Sequence, residues 1–351
     1  MTAAGLPLGE AWRADGLGIG LLPGLAPGRM GLVSGPLFVG GTGRCGTSQL
    51  TRVLGEHPQV HALKWESRFL VDPGGFEDLA RALTVAYTPY HADDTLGRLA
   101  WLLNVRLTGH SHEAFRGWGL AEELGIERYR AAAGRLWQQL TWYEFDEAVP
   151  PLGYRSGLRH APGEPQVRRR AVARYFPDRN ELTGILREFT AGLFGAAAGT
   201  AGKRTWCEKT PFNLLSAPFL LELFPQATVV VIMRHPVHVA ASHLDQPWAP
   251  STMEGVLGWL EPVYRRWLAQ RPALLHDHRY VEVQAENLAE DWPDSRRDLF
   301  GRLGLPDADT ASTFAASRLA IRRAQLSDTD QAQALNQLGW AAEELGYPAR
   351  P

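Results

Sequence analysis

The sequence predicts an α/β fold: a doubly wound parallel sheet with a P-loop-like phosphate-binding loop after its first strand and a large helical insertion. Three observations predict it. Short apolar strands alternate with amphipathic helices along the 351 residues. A glycine-rich run follows the first strand and opens a helix. The most apolar strand, Thr228-Val229-Val230-Val231-Ile232-Met233, ends in Arg234-His235-Pro236 at the start of another helix. Parallel strands joined through helices need right-handed crossovers, which lay helices over both faces of the sheet.

Taken in order, residues 1–34 are rich in Gly, Leu and Pro without helical or strand periodicity and read as an N-terminal arm. A single domain is expected over 35–351. Leu37-Phe38-Val39 is the first buried strand, and it runs into Gly40-Gly41-Thr42-Gly43-Arg44-Cys45-Gly46-Thr47-Ser48. Leu50, Val53 and Leu54 give helical spacing over 47–57, and Pro58 ends that helix. A short strand at Val60-His61-Ala62 leads to Glu66-Ser67-Arg68. Residues 76–200 read as a mostly helical insertion, with helices near 95–107, 122–145 and 181–194. Within it Trp137, Trp142, Tyr143 and Phe145 read as a core stripe, and Arg168-Arg169-Arg170 as a solvated run. Strands return at 204–207, before Lys209-Thr210-Pro211 and a helix to Phe224, then at 228–233 and near 280–283, with helices to the end.

Composition narrows the function. Lys+Arg 36 against Asp+Glu 38 leaves a formal net charge of -2, which argues against a nucleic-acid partner, because a phosphate-tracking surface shifts a domain strongly basic. Two cysteines cannot make a disulfide framework, so a reducing cytoplasm is expected. The N-terminus lacks a basic segment, and no apolar run reaches the roughly 18 residues of a membrane helix, so neither export nor a membrane partner is expected. Lysine occurs only at 64, 203 and 209, which draws attention to Lys209 beside a predicted strand end.

The glycine loop points to phosphate. Backbone N–H groups and the positive end of a helix converge there on an anion, and absent side chains allow close approach. Three readings compete. Gly41, Gly43 and Gly46 match the dinucleotide pattern G-x-G-x-x-G, with Glu66 near the place of a ribose-binding acid, which would make an NAD(P)-dependent oxidoreductase. Gly41 to Gly46 also have triphosphate-loop spacing, but Thr47 stands where lysine is needed, and strand 228–233 ends in Arg234 instead of an acid for Mg²⁺. The third reading takes Arg234 as a ligand. Arginine offers forked donors, Ser242 adds a hydroxyl eight residues on, and Pro236 starts the helix where no N–H is required. Two phosphate sites on one sheet imply a nucleotide phosphorylated at both 5′ and 3′ positions. A nucleotide-binding protein without catalysis is the alternative from outside the enzymes.

These residues carry a resemblance. The run from Phe38 to Ser48 resembles the 5′-phosphosulfate loop of sulfotransferases that use 3′-phosphoadenosine 5′-phosphosulfate (PAPS), and Arg234-His235-Pro236 through Ser242 is similar to their 3′-phosphate motif. His57-Pro58, Glu66-Ser67-Arg68 and Glu208-Lys209-Thr210-Pro211-Phe212 look like counterparts in the tyrosylprotein sulfotransferases and related bacterial enzymes. The resemblance implies the sulfotransferase fold and PAPS as co-substrate, with no metal. It implies a donor site of Gly43, Arg44, Cys45, Gly46, Thr47, Ser48, Arg234 and Ser242. Arg44 stands where cytosolic members carry lysine, Cys45 replaces the usual serine, and Ala285 falls where a tyrosine is expected. Arg322 and Arg323 are candidates for a late phosphate loop. Glu66 is the candidate base, held by Arg68 or its neighbours, with His57, His61 and His243 as lesser candidates; Lys209 and Arg44 supply positive charge. The implied acceptor is a hydroxyl on a small metabolite, sugar or tyrosine-like phenol, and the reading leaves room for a homodimer.

Overall fold

The computed structural model describes residues 35–108, 119–149, 166–314 and 326–348. The predicted arm at 1–34 and the pair Arg322 and Arg323 lie outside the described residues.

Five parallel strands make the central sheet in the order β2-β5-β1-β6-β7. They are β1 (Leu37–Gly40), β2 (Val60–Ala62), β5 (Thr205–Lys209), β6 (Thr228–Met233) and β7 (Tyr280–Gln284). β1 is central because it is short, apolar and buried at every position, as a strand covered on both faces must be. Alternation along β5 separates the two faces. Trp206 meets Phe194 at 5.0 Å and Phe224 at 5.5 Å, so this face lies under α6 (Arg179–Thr200) and the end of α7 (Ala217–Leu223). Lys209, on the opposite face, reaches Ser48 of α1 (Thr47–Glu56). The expected two-sided parallel sheet is therefore present.

The sheet order also separates two of the loop readings. In the dinucleotide fold the second strand lies next to the first. Here β5 comes between β1 and β2, and β6 flanks the other side of β1. The two strands that end in the loop and in Arg234 are thus neighbours, with Val39 opposite Val230 and Gly40 opposite Val231.

Residues 76–200 contain α2 (Phe76–Ala82), α3 (Pro89–Thr108), α4 (Leu120–Leu124), α5 (Ile126–Leu140) and α6, but the expected helix over 122–145 is not continuous. It breaks at Gly125, whose φ is 86°, and stops at Leu140. β3 (Thr141–Val149) then pairs antiparallel with β4 (Gln166–Ala173), so the Arg168–Arg170 run lies in a strand and not between helices. The aromatic stripe is corrected too. Trp142 is 79% exposed and Tyr143 61%, while the Trp137 indole donates to Glu144 Oε1 at 2.8 Å. Alternating aromatic and acidic residues suit a two-sided ribbon, and that local preference overrides the helical period running into it.

After β6, the short helix α8 (Pro236–Leu244) carries Ser242 in its last turn. The remaining helices are α9 (Met253–Leu274), α10 (Ala285–Glu290), α11 (Trp292–Arg302) and α12 (Asp328–Glu344). Among the described residues no helix is long and apolar enough to cross a membrane.

Candidate active site

The loop between β1 and α1 is held in a conformation that glycine makes possible. Gly43, Arg44 and Gly46 have φ of 79°, 55° and 110°, and arginine in the left-handed region is uncommon. Gly46 caps α1, its carbonyl accepting from Gln49 and Leu50 N–H at 3.0 Å. A side chain on Gly41 would stand 2.4 Å from Cys45 Sγ and 2.8 Å from the Ile232 carbonyl, so the loop lies tightly on β6. Successive left-handed residues at a helix N-terminus form a concave backbone cradle suited to an anion.

Cys45 is turned beneath this cradle. It is fully buried, and burial pushes its thiol up despite backbone hydrogen bonds, the largest from Thr47. Its side chain thus packs the underside of the loop, and its contribution to the cradle is backbone. Thr47 is buried as well, whereas Arg44 and Ser48 face outward.

The two segments expected to bind phosphate meet although they are far apart in sequence. Arg44 Nε donates to Ser242 Oγ at 3.2 Å, and Arg234 donates to the Arg44 carbonyl at 3.2 Å. Arg234 is only 5% exposed, and burial lowers its pKa against the pull of Glu286. Glu286 is itself fixed by the His235 N–H at 3.0 Å and the Tyr347 hydroxyl at 3.0 Å. A guanidinium kept this dry at the end of a strand gains strongly from a doubly charged partner.

Glu66 and Lys209 come together at the adjoining edge. Lys209 Nζ donates to Glu66 Oε1 at 2.7 Å and to Ser48 Oγ at 3.3 Å. Arg68, the holder of Glu66 expected from the sequence, pairs with Asp72, and Lys209 holds Glu66 from across the sheet edge. Both lie where open α/β sheets place their ligands, outside the carboxyl ends of the strands.

The three histidines divide. His57 is buried at the end of α1, where Nδ1 accepts from the Gln59 N–H at 3.1 Å and Nε2 donates to the Pro306 carbonyl at 2.9 Å. His61 stands 3.8 Å from Glu123. His243 Nδ1 donates to the Val239 carbonyl at 2.9 Å, and its ring edge abuts Gly43. Burial pushes the His243 imidazole below its ordinary pKa against the Val239 hydrogen bond, and Arg44 adds to that push.

Glu208 is the residue whose role sequence reasoning missed. It is fully buried, and its carboxylate accepts from Ser67, Thr210 and Asn213. A carboxylate directly after Trp206-Cys207 in the strand Thr205–Lys209 was the available signal, since a buried charge persists only with partners. Among the described residues no group of His, Cys, Asp or Glu is placed to hold a metal ion.

The sequence profile described as Sulfotransferase family matches residues 145–309, a stretch that holds Lys209, Arg234 and Ser242. Similar solved structures include a sulfotransferase from Alicyclobacillus acidocaldarius, at 13% identity over 90% of this chain and 95% of that one, with a TM-score of 0.42. The sulfotransferase domain from the curacin biosynthetic pathway aligns at 12% identity over 91% and 100%, with a TM-score of 0.43. That of the Synechococcus PCC 7002 olefin synthase aligns at 15% over 92% and 98%, with a TM-score of 0.42. No curated protein matches the sequence. Over residues 145–309 the chain is similar to the sulfotransferase family.

Proposed function

We propose that this protein transfers a sulfuryl group from PAPS to a hydroxyl acceptor: a small metabolite, a sugar or a tyrosine-like phenol. The observation that carries the reading is the joining of two phosphate motifs through Arg44, which touches Ser242 by its side chain and Arg234 by its carbonyl. A triphosphate loop needs no such second site. A dinucleotide site needs a ribose-binding acid, and here Glu66 is engaged by Lys209.

The residues fit the nucleotide. The cradle at Gly41–Gly46 has no room for a side chain at Gly41 and suits the 5′-phosphosulfate, with Thr47 and Ser48 at the first turn of α1. Arg234 and Ser242 suit the 3′-phosphate. When bound, the nucleotide supplies the sulfuryl group and a phosphate leaving group. The chain's task is then to align the acceptor and to supply positive charge where the leaving oxygen develops its own. Arg44, exposed over the cradle, and Lys209, at its rim, supply that charge. Glu66 accepts the acceptor's proton: Lys209 occupies Oε1, which orients the carboxylate. No step calls for a metal. Cys45 and Cys207 are both buried free thiols, which suits a reducing compartment.

The test is incubation with PAPS and pooled hydroxyl compounds, scored by mass spectrometry for the gain of one SO₃. With an acceptor in hand, Glu66→Gln is expected to lower turnover by about 10²–10⁴-fold with donor affinity unchanged, the span of general-base catalysis. Lys209→Ala should behave alike, and Arg44→Ala should damage both affinity and rate. Near wild-type turnover in folded Glu66→Gln would move the base elsewhere, first to His61 and His243.

A further inference from the structure

Glu208 lies outside the donor and acceptor groups assigned above, yet its carboxylate ties together the segments that carry them. Oε1 accepts from Ser67 N–H at 3.0 Å, from Ser67 Oγ at 2.9 Å and from Thr210 Oγ1 at 2.7 Å. Oε2 accepts from Asn213 Nδ2 at 2.8 Å, and the same amide donates to the Val39 carbonyl of β1 at 3.1 Å. Ser67 follows Glu66 in the chain, and Thr210 follows Lys209. β1 leads into the glycine loop. One buried side chain therefore fixes the residue next to the base, the residue next to the lysine, and the strand beneath the cradle.

We infer that Glu208 is a positioning residue, which sets the 2.7 Å approach of Lys209 to Glu66 from the far face of the sheet. The inference rests on the assignment of Glu66 and Lys209 as the proton-accepting and charge-supplying pair. The segment carrying Glu66 needs such a tie. Its turn runs through Arg68 with φ 57°, a conformation that non-glycine residues adopt only when their surroundings hold them. An apolar residue in place of Glu208 would fill the space and leave four buried donor contacts unanswered, so the carboxylate's geometry is what the site uses. The same donors favour glutamate over glutamine. An amide keeps one oxygen for the Ser67 and Thr210 donors but turns N–H toward Asn213 Nδ2. Asn213 can answer by presenting Oδ1, buried with no hydrogen-bond partner among the described residues, and then loses Val39. Burial pushes the Glu208 carboxyl up, and the donors that converge on it oppose that push.

The experiment compares Glu208→Leu and Glu208→Gln with the unaltered protein in crystal structure, in kcat and KM, and in affinity for 3′-phosphoadenosine 5′-phosphate. In Glu208→Leu, Lys209 and Glu66 should separate beyond hydrogen-bond reach. kcat should fall about 10²-fold, the scale set by a 1 Å misplacement of reacting groups, with nucleotide affinity unchanged. Glu208→Gln should retain more activity, because it retains the Oε1 contacts. Placed in a Glu66→Gln background, Glu208→Leu should cost less than it does alone, since the part of its effect that passes through the base is lost once the base is gone. The pair distance is read without turnover, so it decides the inference even if sulfuryl transfer proves not to be the chemistry. An intact Lys209–Glu66 contact, or an undiminished loss in the Glu66→Gln background, overturns it. Should Glu208→Leu not fold, Ser67→Ala, which removes one hydroxyl donor, is combined with Glu208→Gln and the same distance is measured: lengthening supports the inference, and an unchanged contact overturns it.

Discussion

In the proposed function, Arg234 is the residue on which donor recognition turns. It is buried at the end of β6, tied to the loop by the Arg44 carbonyl, and backed by Glu286. Hydrogen bonds to a charged group contribute on the order of 1.5–3 kcal/mol each, so Arg234→Ala should weaken donor binding at least about tenfold. Ser242→Ala removes one hydroxyl and should do less. Adenosine 5′-phosphosulfate, which lacks the 3′-phosphate, is the control in calorimetric titration: wild type and Arg234→Ala should bind it about equally, and a large difference would mean that the arginine serves another group. At this scale the sequence was most informative where chemistry is local. An arginine at the end of an apolar strand and a glycine run before a helix are visible within a dozen residues. The partner of Glu66 was not, because Arg68 is near in sequence whereas Lys209 is 143 positions away and is brought close by β5 lying beside β2. Glu208 escaped for a related reason: its partners come from two separate segments, and nothing in the strand itself names Ser67.

Among the elements, the glycine loop is tight at one place and a helix is loose at another, and the contrast can be measured. Gly41→Ala drives a Cβ toward the Ile232 carbonyl and Cys45 Sγ, neither of which can retreat without moving β6 or the loop. Thermal melting should show destabilisation on the order of 1–3 kcal/mol, the usual result of overpacking a close site, together with lost nucleotide binding. Gly97, within α3, meets nothing within 4 Å, and Gly97→Ala should instead stabilise by roughly 0.5–1 kcal/mol with binding intact. A Gly41→Ala protein that melts and binds normally would show that the loop is not seated on β6. The β3–β4 hairpin is the element that periodicity missed. Helical spacing continues from α5 into Trp142, but the pairing of Tyr143 with Val172 lies across a long connection, and local pattern cannot see it. The stacked rings of Tyr143 and Phe145, 6.2 Å apart, are a product of that strand geometry and have no helical counterpart.

For the whole molecule, strand order is the feature that makes the site. Placing β1 between β5 and β6 sets the loop, Lys209 and Arg234 side by side at one edge of the sheet. Alternating strands and helices announced a parallel sheet, but no local signal announces that β5 inserts between β1 and β2, since its partners in both strands lie more than 140 positions away in the chain. The central claim is that one nucleotide bridges both phosphate sites without a metal, and ligand-induced stabilisation measures it directly. A ligand that binds only the native state raises stability by mass action. With divalent metal chelated, 3′-phosphoadenosine 5′-phosphate should raise the melting temperature of the wild type well above the shift given by NADH, ATP or adenosine 5′-phosphate, and Arg234→Ala should erase most of that difference. A larger shift with NADH, or equal shifts with and without the 3′-phosphate, would contradict the account.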